Sequence, residues 1–247
     1  MSRGLDEVHV GLRRCAVIAG LTLCLGTTAC GTKSTAGSGH VVARRIPVAA
    51  FSRVEVATAF DVRVSVGAAE RVVVHVDDNL ARDLDVGVSG NTLHIRLKPG
   101  ASVSNATLKA DVTVRTLAGI AASGASKIAL VDEIRAPTLS ATLSGASRLD
   151  GRVTTPDGRI DLSGAARAGL SGSARRLHVT ESGASSLDAR GLMARSLTID
   201  LSGASMASVR VTDSMSAGLS GASSLRYRGS PRVIRREVSG GSSIAHL

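Results

Sequence analysis

At 247 residues the chain is long enough for one large domain or two small ones, and its apolar fraction of 43% is ordinary for a folded protein. Aromatic residues make up only 1%, namely Phe51, Phe60 and Tyr227, which excludes a core of large rings and a stacking platform for single-stranded nucleic acid. The formal charge of +10 comes from dispersed cations, so it serves solubility or attraction to anionic envelope polymers, lipid headgroups or phosphate-rich glycans.

Residues 1–29 have the form of an export signal: Arg3, Arg13 and Arg14, then an apolar run over 15–25, then Thr27, Thr28 and Ala29. The run is too short to span a bilayer. The small residues before Cys30 resemble the lipobox of bacterial lipoproteins, in which that cysteine becomes the lipidated first residue and binds the chain to the membrane. Thr27 stands where a lipobox usually has an aliphatic residue, so cleavage by an ordinary signal peptidase is the alternative. Cys15 and Cys24 fall inside the leader, leaving Cys30 as the one later cysteine, with no internal disulfide or cysteine metal site. Residues 30–247 keep 27 basic and 18 acidic residues, a formal charge of +9.

Residues 31–39 are almost wholly Gly, Thr, Ser, Ala and Lys, too little apolar surface to fold, and residues 30–45 read as a flexible tether. From 46 to 117 the pattern becomes alternating, as in Val54 and Val56, then Phe60, Val62, Val64 and Val66, then Leu93, Ile95 and Leu97. These are strands with one buried face, less regularly spaced than the repeats after residue 117.

Over 118–247 a Ser-Gly-Ala-Ser motif recurs, its first serine at Ser123, Ser144, Ser163, Ser182, Ser202, Ser220 and Ser239, in steps of 21, 19, 19, 20, 18 and 19 residues. Aligned on that serine, the place before it holds Ala122, Leu143, Leu162, Glu181, Leu201, Leu219 and Val238. Five places after it stand Ile128, Leu149, Ala168, Leu187, Ala207, Leu225 and Ile244. Period two within a repeat and period nineteen between repeats predict an all-β fold, a parallel β-helix (β-solenoid) with coils of about 19 residues. The motif is expected at a corner, with glycine supplying the bend and small residues stacking on their own copies.

The chain resembles the head GIN domain family, whose members are described as auto-transporter adhesins, over residues 46–244. The resemblance rests on Phe51-Ser-Arg-Val-Glu-Val, Phe60-Asp-Val-Arg-Val, Gly90-Asn-Thr-Leu-His-Ile and the recurring corners. It implies a right-handed parallel β-helix behind a signal peptide, often a lipoprotein one, and brings no catalytic residues.

Parallel β-helices include polysaccharide lyases and hydrolases, so columns of acids on the outer face could carry catalysis. Asp161, Asp200 and Glu237 share a column but are separated by Thr180 and Gly218, as Asp150 and Asp188 are by one coil. Two coils span about 9–10 Å, at the edge of the inverting-glycosidase range. The corner serines lack the Gly-x-Ser-x-Gly pattern and have no histidine in step. His75 and His94, near Asp77 and Asp78, lack metal-ligand spacing, and no motif calls for a cofactor. Glu181 is an acid in an apolar column, to be reconciled by a local bulge or by pairing with Arg176 or His178. The leading expectation is a non-catalytic surface module, anchored through Cys30, binding an anionic envelope polymer or protein through stacked faces that carry Lys127, Arg148 and Arg167. The second is a structural, self-associating envelope protein with an uncapped last coil, and the third a polysaccharide-acting enzyme. Nucleic acid is not an expected partner.

Overall fold

A computed structural model describes residues 34–247, which form a solenoid of stacked parallel coils with about seven turns about 19 residues apart. The expected leader over 1–29 and Cys30 lie outside the described residues. Every strand pairing joins segments between Thr35 and His246, so this part carries its own core.

The regular coils are the strands Arg148–Leu162, Arg167–Glu181, Ser186–Leu201 and Met206–Leu219, each paired in parallel with the next. The expected columns meet in register, for example Ile160, Val179, Ile199 and Ala217, all at most 3% exposed. Every coil thus lays a row of aliphatic side chains on the row before it, each large one contributing about 1.5–3 kcal/mol.

Stacking order departs from chain order at the start. Arg53–Val56 and Asp61–Val66 form one coil, with Gly119–Ala122 and Lys127–Leu130 stacked on one side and Thr92–Leu97 and Leu108–Val114 on the other. The chain between them runs backward to build a cap, in which Arg71–Asp77 lies antiparallel to Leu108–Val114, and Leu84–Ser89 antiparallel to Thr92–Leu97. Leu80, in the short 3-10 helix Asp78–Asp83, is fully buried in this end.

The expected tether over 30–45 is corrected in its described part. Val41–Ile46 adds an antiparallel strand to Arg71–Asp77, and Thr35–Ala36 pairs with Val103–Ser104. The buried Asp77 carboxylate accepts hydrogen bonds from the Gly39 N–H at 3.0 Å and the Thr107 N–H at 2.7 Å. Backbone pairing and a buried anchor therefore order a segment whose own side chains could not.

The repeated motif occupies the corners. Its glycine takes a left-handed conformation, φ +73° at Gly183, and its backbone lies against the glycine one coil earlier. The Ala184 N–H donates to the Gly164 carbonyl at 2.7 Å, and the same bond recurs at Ala146, Ala165, Ala204 and Ala222. A Cβ on Gly183 would stand 2.6 Å from the Gly164 oxygen. The last serine turns inward, where the Ser126, Ser147 and Ser223 hydroxyls donate to the carbonyls of Ser123, Ser144 and Ser220 at 2.7, 2.8 and 2.7 Å.

Glu181 breaks this scheme. It is 1% exposed and sits in continuous register between Leu162 and Leu201, so there is no bulge. Arg176 instead binds Asp157, and His178 faces the Thr180 hydroxyl at 3.5 Å, which corrects the expected pairing of either with Glu181. The only hydrogen bond to the carboxyl comes from the Ser185 hydroxyl, 3.3 Å from Oε2; Oε1 and the Ser205 hydroxyl one coil on have no partner among the described residues. Burial pushes the Glu181 carboxyl up to about 8, against the smaller opposing effect of Ser185, so the core holds it protonated at neutral pH.

Gly183→Ala should cost on the order of 2–3 kcal/mol through left-handed strain and the clash with Gly164, read as a lower urea midpoint, whereas Ala184→Ser on the exposed corner should leave it unchanged. The unfolded chain releases the Glu181 proton near its ordinary 4.5 and the folded chain near 8, so the folded state binds more protons between these values. Stability should therefore fall as pH rises from ~5 to ~9, by on the order of 4 kcal/mol, and urea melts of Glu181→Gln should lose that slope.

Candidate functional site

The outer face just past the corner carries the cations singled out in the sequence. Lys127, Arg148 and Arg167 begin their strand segments immediately after three successive corners, and parallel pairing sets Lys127 beside Arg148 and Arg148 beside Arg167. All three are exposed, and neighbouring coils place them about 4.8 Å apart along the stack. Arg148 is held by Asp150, with Nη2 3.1 Å from Oδ1, and this partner holds its guanidinium above the ordinary arginine value. Lys127 and Arg167 have no ion pair with any described residue, although Asp61 is in register with Lys127. Together with Asp61 and Asp150 they line an open groove of about 450 Å³. Like charges in register on adjacent strands repel, so this row is unfavourable unless neighbouring acids offset it, as Asp150 does for Arg148.

A second groove, of about 490 Å³, lies on the face before the corner, lined by Arg53, Arg159, Arg176 and His178 with the hydroxyls of Thr138 and Ser140. Alignment on the motif places Ser140, Arg159 and His178 in one column, four places before the corner serine, but it could not add Arg53, which register brings into that column from a coil without the motif. Arg159 is spanned by Asp161 at 2.8 and 2.9 Å, and Arg176 is bound to Asp157, which leaves Arg53 as the guanidinium without an ion pair to a described residue.

Several acids of the outer columns are held in local ion pairs. Asp161 and Glu237 are each bound by an arginine two residues earlier in the chain, Arg159 and Arg235. Arg235 holds the Glu237 carboxyl below its ordinary range, as Arg190 does for Asp188. A general acid at neutral pH needs a raised value. Asp200 and Glu237 line an open groove of about 630 Å³ at the gap left by Gly218, together with Arg236. His75 and His94 are not brought together: His75 Nε2 lies 3.1 Å from Asp111, and His94 Nε2 lies 3.3 Å from Asp85. Among the described residues no three His, Cys, Asp or Glu side chains form a metal-holding group, and no helix is long and apolar enough to cross a membrane.

Known structures share this architecture. A protein of Bacteroides fragilis described as a "putative adhesin" matches with TM-score 0.82 at 20% identity, covering 87% of this chain and 100% of that one. A "putative lipid binding protein" of Parabacteroides distasonis matches with TM-score 0.72 at 17% identity over the same shares. A "putative adhesin" of the same species reaches 0.70 at 21% identity, again over 87% and 100%. At these identities the likeness shows the fold. Among curated proteins none matches the chain. The family model described as "Putative auto-transporter adhesin, head GIN domain" matches residues 50–231, and the chain belongs to that family.

Proposed function

We propose that the protein is an exported, non-catalytic binding module, held to the cell envelope by a lipid on Cys30, that captures an anionic envelope polymer or protein across its stacked coils. The observation that carries this reading is the in-register row of Lys127, Arg148 and Arg167, two of them without an ion pair to a described residue. A row at coil spacing suits a ligand with regularly repeated negative charge, engaged by charge-assisted hydrogen bonds. Sugar recognition by ring stacking is disfavoured, since Tyr227 is the one tyrosine and there is no tryptophan. The leader over 1–29 and the small residues before Cys30 support export and lipidation. The family description and the adhesin descriptions of similar structures agree with a surface role. A structural, self-associating role is the second reading, favoured by the exposure of every residue in the last long strand, Arg232–Val238.

Co-sedimentation of the Cys30→Ser protein with envelope and polysaccharide fractions, at low and high salt, tests the proposal. Saturable capture by one fraction should weaken with salt. It should drop at least tenfold in a Lys127→Glu, Arg148→Glu, Arg167→Glu variant whose urea midpoint is no lower than that of the parent. Absence of capture, or capture indifferent to the triple change, would overturn the reading.

A further inference from the structure

The solenoid has unlike ends. The end nearest the first described residues is closed: Val41–Ile46 joins the antiparallel cap, Thr35–Ala36 pairs in parallel with Val103–Ser104, and Gly39 is pinned to Asp77. At the other end the last coil, Arg232–Val238 and Ser243–His246, pairs on one side only. No described residue covers the other side. Its apolar side chains stand in solvent, with Val233 43%, Ile234 61%, Val238 42% and Leu247 54% exposed.

The side chains of the last two coils indicate what meets this end. Residues 226–247 carry Arg226, Arg228, Arg232, Arg235 and Arg236 against a single acid, Glu237, a formal +4. Arg235 is bound to Glu237, and the other four have no ion pair with a described residue. The column that holds Ile160, Val179, Ile199 and Ala217 inside the solenoid also ends in Arg236, in register with Ala217 and exposed. A cation at the end of a core column opposes continuation of the stack by a second copy, whose own arginines would be brought against these. Tyr227, the chain's one tyrosine, packs on His246 at this end with ring centroids 5.0 Å apart. Exposed aliphatic side chains among arginines, beside a tyrosine, are the chemistry that enters the headgroup region of an anionic bilayer. A soluble polyanion would satisfy the arginines and leave the aliphatic residues in water.

We infer that the open last coil is a membrane-docking tip that inserts Val233, Ile234 and Val238 among anionic lipid headgroups neutralised by the surrounding arginines. The tip lies eight coil spacings, on the order of 40 Å, from the coil that pairs with the cap. This site is separate from the Lys127, Arg148 and Arg167 row and stands or falls without it.

Flotation of residues 34–247 with phosphatidylcholine vesicles, with and without phosphatidylglycerol, tests the inference. Binding should require phosphatidylglycerol and fall at least tenfold both in Arg232→Glu, Arg235→Glu, Arg236→Glu and in Val233→Ser, Ile234→Ser. Both variants change solvent-exposed side chains and should keep the parent's urea midpoint. Absence of vesicle binding, or binding unchanged in both variants, would overturn it. Equal binding to soluble polyphosphate with no loss in the apolar variant would overturn it in favour of a polymer site. Concentration-dependent pairing abolished by the apolar variant would overturn it in favour of a second copy.

Discussion

Close approach of one backbone corner to the next governs this fold. A parallel solenoid holds its coils at strand spacing, about 4.8 Å, all the way round, corners included. The chain must therefore turn without any side chain wedging the coils apart. The Ser-Gly-Ala-Ser corner does this by placing a glycine where a Cβ would meet the preceding glycine's carbonyl, 2.6 Å away at Gly145, Gly183, Gly203 and Gly221. The next residue then donates its N–H to that same carbonyl, so the ladder runs through the bend unbroken. With corners and strands in one register, each aliphatic column closes on its own copies, and a core almost free of aromatic rings packs well with small residues.

The same register arranges the surface. A residue type repeated at one place in the coil becomes a line of that type along the solenoid. Where Lys127, Arg148 and Arg167 come directly after consecutive corners, the line is cationic. Elsewhere the chain interrupts its lines: Thr180 and Gly218 separate the acids of one column, and arginines two residues earlier neutralise Asp161 and Glu237. Within the cation row Lys127 and Arg167 have no ion pair with a described residue, whereas Arg148 is balanced by Asp150 as Arg190 is by Asp188 and Arg135 by Glu133. Binding and end docking are chemically distinct on such a scaffold, because a lateral face repeats and a terminal coil does not.

Much of this was legible because a solenoid repeats its environment, and environment is what sequence patterns record. Seven glycine corners and the aliphatic columns specify the coils from Gly119 onward. The first coil was less legible because its corner lacks glycine: Thr58 and Ala59 adopt positive φ of 64° and 63°, and Phe60 fills the position where later coils carry an inward serine. Chain order also hid that this coil lies between Thr92–Leu97 and Gly119–Ala122, since register between distant segments leaves no periodic trace. Val41–Ile46 left no signal because it is ordered by a partner strand and not by its own apolar pattern. Glu181 was visible as an anomaly, yet its solution was not. Alternation placed it inward, but only the structure shows Arg176 and His178 occupied on the opposite face and a serine hydroxyl as its one hydrogen-bond partner among the described residues. Of the candidate binding face, the sequence carried the row itself; the pairing of Arg148 with Asp150 and the placing of Arg53 at the second groove emerged only in three dimensions.

Side-chain footprinting bears most directly on the claim that the lateral cation row is the binding surface. Acetylation of Lys127 and glyoxal modification of Arg148 and Arg167 would be quantified by mass spectrometry on the Cys30→Ser protein, free and bound to whichever envelope fraction captures it. Arg44 and Arg45, on the cap strand Val41–Ile46, serve as references. The account predicts that Lys127, Arg148 and Arg167 become protected together while the reference arginines stay reactive. Protection confined to other cations, with these three as reactive as in the free protein, would contradict it.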